Sequence, residues 1–176
     1  MDYKQIGTEA LEVLQLKDSA IHAVAHDRTK LNASLLCLGV GALASSLGLV
    51  LFPVHVGLIT YRPDLGWVLG SAIGGALGQI VVILLIGLLA ERVFHSKLST
   101  QGFFQVLATA SVVNVLGLIS SLSFLAWFWM MAVTAKVLHS EGKMEAPSIL
   151  LILVLILILF GSVSTYGMGY YGRGMM

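Results

Sequence analysis

Histidine is the side chain most able to bind a metal or move a proton near neutral pH, and the chain has five of them. His22 and His26 are four residues apart, a spacing at which a helix can offer two ligands to zinc. No third ligand of matching spacing stands nearby in the sequence. We therefore interpret the pair as surface histidines and predict no metal site.

The rest of the chain predicts no catalytic centre. His55, His95 and His139 fall at the ends of apolar segments, so no histidine is placed to bind a haem inside a membrane. Phosphate-binding loops, nucleophile elbows and HExxH motifs are absent from the sequence. The polar connections are too short for a soluble catalytic domain. We expect a protein that is not an enzyme.

Two amides stand inside apolar segments. Gln79 lies within LGSAIGGALGQIVVILLIGL, residues 69–88, and Asn114 lies within the third apolar segment. An amide in hydrocarbon needs a partner, and a hydrogen bond between membrane helices is worth about 0.6 to 2 kcal/mol. Both amides therefore predict hydrogen bonds between helices, or alternatively a polar solute path. The first is favoured because the segment interiors lack the Asp, Glu, Arg and His that pumps and proton-coupled carriers use.

Trp127 and Trp129 form a third candidate site, near the middle of an apolar segment rather than at the interface that tryptophan prefers. Two methionines follow them, and large soft side chains fill irregular gaps between helices. Packing is the favoured interpretation. The alternative is a bound pigment or quinone, and apart from lipid we expect no other cofactor.

The composition indicates that lipid surrounds most of the chain. The 176-residue chain is 57% hydrophobic and 11% charged, about half the charged fraction of a soluble domain, and its mean hydropathy is +0.93. A chain this short cannot bury so much apolar surface in a water-soluble core. The net charge of +1 gives no basic face for nucleic acid.

Five apolar segments approach the roughly 20 residues that a helix needs to cross a membrane. The third and fourth are separated only by SSLS, and together they are too long for one crossing, so they predict a hairpin. We predict an all-α, polytopic bundle of five transmembrane helices. The spans are 31–52, 67–90, 103–119, 122–138 and 147–167, between a leader at 1–30 and a glycine- and aromatic-rich tail at 168–176.

Lysine and arginine predict the orientation of the bundle. With the amino terminus in the cytoplasm, the opposite side holds only Arg62 and Arg173. We therefore predict a cytoplasmic amino terminus and a carboxyl terminus on the opposite side. The cytoplasmic segments would hold Lys4, Lys17, Arg28, Lys30, Arg92, Lys97, Lys136 and Lys143.

The leader predicts one amphipathic helix over residues 8–28. Thr8 is the expected N-cap, and Glu9 and Glu12 suit the positive end of the helix dipole. We expect this helix to lie on the membrane or on the bundle, or to dock a partner. Its apolar face consists of Leu11, Leu14, Ile21, Val24 and Ala25.

Small residues predict how the first two spans pack. Glycine weakens a helix in water, but in lipid it lets two backbones approach closely. Gly70, Gly74 and Gly78 recur every four residues in the second span. We expect this stripe to pack on the first span or on a copy of itself. The matching small residues of the first span are Gly41, Ser45 and Gly48.

Two segments resemble the Yip-domain family, membrane proteins of the Ypt/Rab-interacting type, and especially its bacterial members. GFFQVLATASVVNVLGLIS, residues 102–120, is similar to the opening of that family's third span, and WMMAVTAKVLHSEGKMEA, residues 129–146, to the exit of its fourth. The resemblance covers roughly residues 31–165. It implies a cytoplasmic leader, five spans, a role in trafficking or membrane organisation, and no catalytic residues. The similar residues are Gly102, Phe104, Ala110, Ser111, Trp129, Ala135, Lys136, His139 and Ala146.

The sequence thus favours a non-enzymatic integral membrane scaffold or accessory subunit. Its expected partners are lipids and other integral membrane proteins or copies of itself. One alternative is a small transporter or channel with a polar path at Gln79 and Asn114. The other is a pigment- or quinone-binding subunit of an energy-transducing complex.

Overall fold

The computed structural model describes residues 3–51, 54–56, 59–61, 64–119 and 122–158, and these are almost entirely helical. The tail and the end of the fifth predicted span lie outside the described residues, as do Arg62 and Arg173. The helices are α1 (Tyr3–Leu14), α2 (Asp18–His26), α3 (Leu31–Leu51), α4 (Leu65–Arg92), α5 (Thr100–Ala110), α6 (Ser123–Ser140) and α7 (Ala146–Ile158), with 3₁₀ segments at Arg28–Lys30 and Ser111–Leu118.

Three of the described helical stretches are long and apolar enough to cross a membrane, rather than the five predicted. They are Arg28–Gly48, Leu65–Arg92 and Thr100–Leu118, and they correspond to the first three predicted spans. In α6, two tryptophans, Lys136 and His139 lower the hydropathy. The described part of α7, Ala146–Ile158, is apolar but shorter than a span.

The described helices confirm the predicted all-α class, and a short β-ladder is the exception to it. Strands β1 (Val54–Val56) and β2 (Ile59–Tyr61) pair antiparallel in the connection between α3 and α4, with His55 opposite Thr60. These strands contain valine, isoleucine, threonine and tyrosine, the residue types that fit a pleated ladder best. A count of apolar residues for spans does not detect so short an element.

Helix α5 is the central element of the described structure. Every residue from Gly102 to Ala110 is buried, and α1, α2, α3, α4 and α6 all contact this helix. Ser99 caps its first turn by accepting a hydrogen bond from the N–H of Gly102 at 3.2 Å. The third predicted span therefore runs mainly through protein rather than along lipid.

Beyond Ala110 the chain tightens into an unusually long 3₁₀ segment, since such runs rarely exceed three or four residues. Side chains near the change donate back to the preceding turn, as Ser111 Oγ does to the Leu107 carbonyl at 2.9 Å, and such bonds bend helices. The small residues of α3 lie along this segment. Ser45 Oγ donates to the Asn114 carbonyl at 3.0 Å.

The glycines of α3 explain how the two segments approach so closely. A Cβ on Gly41 would clash with the Ser111 carbonyl oxygen, and one on Gly48 would clash with that of Gly117. The small residues of the first span thus face the 3₁₀ segment. They do not face the glycines of the second span, which was one of the two predicted pairings. Hydropathy alone could not identify this partner because it says nothing about which helices become neighbours.

The leader forms two helices instead of the single predicted one. Helix α1 begins at Tyr3 and ends at Leu14, and α2 begins at Asp18. Leu16, in the turn between the two helices, has a φ of 59°. Thr8 is therefore inside α1 and not its cap, and its hydroxyl donates to the Lys4 carbonyl at 3.0 Å. The prediction of a helix that starts at residue 8 was wrong.

Both leader helices are packed onto the bundle. Val13, Ile21 and Val24 are at most 1% exposed and belong to the same apolar core as α5. Gln105 of α5, itself 1% exposed, donates from Nε2 to the Asp27 carbonyl at 2.9 Å. The Asp27 carboxylate accepts from the hydroxyl and the N–H of Thr29, and these bonds hold the pKa of Asp27 below its usual value.

Candidate functional site

The described structure contains a cavity of about 130 Å³ between α4, the 3₁₀ segment, α6 and α7. It brings Trp127 together with the two amides that the sequence singled out, Gln79 and Asn114. Most of its wall is apolar. The other lining residues are Val82, Ile83, Ile86, Leu107, Ser111, Ser123, Met130, Met131, Thr134 and Ile156.

Gln79 differs from its polar neighbours in this cavity. The hydroxyls of Ser111 and Thr134 both donate to carbonyls of their own helical turns, at 2.9 and 2.8 Å. Gln79 Oε1 is buried and has no hydrogen-bond partner among the described residues. The predicted bond between helices is therefore not seen for this oxygen. A buried acceptor without a partner costs about 1 to 3 kcal/mol, so its position at a cavity needs an explanation.

The two tryptophans do not act as a pair. Trp127 lines the cavity and packs edge-on against Phe128, with ring centroids 5.0 Å apart. Trp129 is directed to the leader, where its Nε1 donates to the Leu14 carbonyl at 3.0 Å. Of the two tryptophans, only Trp127 would contact a ligand in the cavity.

The glycine stripe of α4 faces away from the described chain. A Cβ on Gly70, Gly74 or Gly78 would have no atom of another described segment within 4 Å. Large apolar neighbours on the same helix, such as Ile73 and Leu77, are 62% and 58% exposed. These three glycines therefore do not pack on the first span. The outward face of α4, meaning Gly70, Gly74 and Gly78 with their exposed neighbours, is smooth and uncharged.

The leader meets two connections at one end of the bundle. Lys136 Nζ of α6 lies 2.8 Å from Asp18 Oδ1 of α2, and the N–H of Lys97, between α4 and α5, donates to the Gly142 carbonyl at 3.0 Å. The leader, the α4–α5 connection and the α6–α7 connection therefore share one end. These are the segments for which the lysine and arginine pattern predicted one side of the membrane.

At the same end, Glu141 joins the two leader histidines. Its Oε2 lies 3.1 Å from His22 Nδ1 and 3.8 Å from His26 Nδ1. Spacing in the sequence could not reveal this carboxylate, because 119 residues separate it from His22. The sequence feature that could have suggested this contact is the lysine and arginine pattern, which predicted the leader and the α6–α7 connection on the same side of the membrane.

Comparison with known proteins identifies no relative: no family model matches the chain, and neither a curated protein nor a solved structure matches it. The resemblance to the Yip-domain family therefore stays a prediction from local motifs.

Proposed function

We propose that this protein is a non-enzymatic integral membrane scaffold that associates through the outward face of α4. The observation that carries the proposal is the stripe of Gly70, Gly74 and Gly78, which contacts no other described segment. A helix that only faced acyl chains would gain nothing from replacing large apolar side chains with glycine, whereas close contact between membrane helices depends on small residues.

The first span supplies a precedent within the same chain. Gly41 and Gly48 lie where a neighbouring backbone comes too close for any side chain. The α4 stripe has similar spacing and no such neighbour among the residues that the structure describes. The best-fitting occupant is a second copy of α4, because two uncharged glycine stripes are self-complementary about a twofold axis. Such pairing would give a membrane-organising role of the kind that the Yip-like motifs imply.

The proposal includes a cytoplasmic leader and five membrane crossings. Lysines of the leader, of the α4–α5 connection and of α6 gather at one end, which supports a cytoplasmic location for that end. Helix α6 ends there and α7 leaves from there. Cysteines placed at residues 5, 96 and 143 should therefore react with an impermeant thiol reagent from one side only. Labelling from opposite sides would refute this orientation.

Association through α4 predicts that Gly74→Leu and Gly78→Leu abolish dimers. The purified wild-type protein should have the mass of a dimer in mild detergent, and each variant that of a monomer that still unfolds in one cooperative thermal transition. Leu151→Ala on α7, where Leu151 is 53% exposed, is the control and should remain dimeric. A monomeric wild-type protein would remove the support for the proposal.

A second candidate function is favoured by Gln79: the cavity binds a small ring that carries a hydrogen-bond donor, such as the head of a quinol. A comparable apolar cavity of roughly 150 Å³ holds one benzene, so about 130 Å³ suits one ring and is too small for a pigment macrocycle. The ring hydroxyl would donate to Gln79 Oε1, which no described residue does.

Replacing Gln79 with leucine tests this second candidate. Removing an acceptor that has no partner should stabilise the ligand-free protein by about 1 to 3 kcal/mol and should eliminate saturable binding of a short-chain quinol, measured by fluorescence quenching of the tryptophans. Thr134→Val changes the polarity of the same wall and should affect neither. Equal quinol binding by wild type and Gln79→Leu would contradict the assignment.

A further inference from the structure

We propose that His22, His26 and Glu141 form a binding site for a zinc-like divalent metal ion, which ties the leader to the bundle. The three side chains each offer a ligand atom, and these atoms lie within 4.8 Å of one another. Two of them come from one face of α2 and the third from the residue that follows α6.

The distances suit a tetrahedral metal. Zinc sits about 2.0 to 2.2 Å from nitrogen and carboxylate oxygen ligands, which places neighbouring ligand atoms about 3.3 to 3.5 Å apart at tetrahedral angles. Glu141 Oε2 lies 3.1 Å from His22 Nδ1 and 3.8 Å from His26 Nδ1. Small rotations of the side chains, with His26 Nδ1 released from its 3.1 Å hydrogen bond to the His22 carbonyl oxygen, would therefore bring all three onto one ion.

The ligands are held by well-packed neighbours. Ile21 and Val24, which flank His22, are at most 1% exposed, so the buried side of α2 fixes where the histidines project. Glu141 is anchored by its N–H, which donates to the Val137 carbonyl at 3.0 Å. Its side chain is only 13% exposed, so the carboxylate has little freedom to leave the histidines.

Ligand type and charge indicate which ions fit. Two imidazoles and one carboxylate suit zinc, cobalt or nickel better than magnesium or calcium, which prefer oxygen ligands throughout. Glu141 supplies one negative charge, and the nearby Lys136 is already paired with Asp18 at 2.8 Å. Glu141 also lines a surface hollow that contains Lys143. The positive charge of this lysine opposes ions that are held by charge alone, so the site favours ions that bind imidazole strongly.

Side-chain exposure leaves room for a fourth ligand. His22 and His26 are 65% and 56% exposed, so water can reach the ion on the side away from the bundle. Three protein ligands with one open position leave the ion exchangeable. The bound metal would link α2 to the α6–α7 connection, 119 residues away in the sequence. Leader docking would then depend on metal concentration.

The experiment uses the full chain in detergent after chelator treatment, with cobalt(II) as a spectroscopic probe and zinc as competitor. We expect one saturable cobalt site that zinc displaces, and lower susceptibility of the leader to protease when zinc is present. Both His22→Ala and Glu141→Gln should weaken binding at least about tenfold. The thermal unfolding midpoint of each metal-free variant confirms that it is folded.

The matched control is His95→Ala, which removes a histidine outside the cluster and should leave cobalt affinity unchanged. The site would be refuted if wild type showed no saturable cobalt binding, or if Glu141→Gln and His22→Ala bound cobalt as tightly as wild type. Zinc binding without any change in leader protection would refute the tie between leader and bundle.

Discussion

Gly48→Ala is expected to lower the free energy of unfolding by about 1 to 3 kcal/mol or more, the range for overpacking a tight contact. The new Cβ would collide with the carbonyl oxygen of Gly117 and approach the Cα of Leu118 at 3.0 Å. Both are backbone atoms, so no side-chain rotation can relieve the collision. Thermal unfolding in detergent, or titration with a denaturing detergent, measures the loss.

Gly39→Ala is the matched control on the same helix, because a Cβ there has no atom of another described segment within 4 Å. Gly7→Ala, on α1 and away from the α4 stripe, meets equally open space within the described chain. Both should be neutral or stabilising by up to about 1 kcal/mol, the helix preference of alanine over glycine. Comparable losses in all three variants would mean that the close contact between α3 and the 3₁₀ segment is not what distinguishes Gly48.

Truncating Ile21 should release the leader. Its side chain is 0% exposed and belongs to the core shared with α5, and Ile→Ala at such a site costs about 2 to 5 kcal/mol. Because α2 is short, we expect this loss to appear first as local opening. Limited proteolysis should cut the leader of Ile21→Ala much faster than that of wild type, and hydrogen exchange in α2 should rise.

Leu11→Ala is the comparison for this prediction, since Leu11 lies on the predicted apolar face of the leader but is 60% exposed. It should behave like wild type in both measurements. If Leu11→Ala released the leader and Ile21→Ala did not, the leader would be anchored by the membrane rather than by α5.

Positions of the first two spans followed from apolar run length. Residues 31–52 were predicted and the helix is Leu31–Leu51, and 67–90 compares with Leu65–Arg92. A helix that must cover hydrocarbon shows this requirement directly in its sequence. The third predicted span, 103–119, corresponds to the helical stretch Thr100–Leu118. Its change to a 3₁₀ segment at Ser111 was not foreseen, because hydropathy does not distinguish helix types.

Which segments become neighbours in the fold could not be predicted from the sequence. The sequence joined Gln79 and Asn114 only as an alternative polar path and did not connect Trp127 with them, because their common cavity depends on how three separate segments pack. Glu141 completes the histidine pair only because α6 ends beside α2. The interruption of the leader helix at Leu16 could not be predicted from the sequence either, since leucine rarely adopts a positive φ.

The most direct test of the scaffold is cysteine cross-linking along α4 in native membranes, in a Cys37→Ala background. Single cysteines at positions 70, 74 and 78 probe the outward face, and cysteines at 151 and 158 probe exposed sites on α7. We predict disulfide-linked dimers from the three α4 positions and none from α7. Absence of dimers from α4, or equal yields from both helices, would contradict association through the glycine stripe.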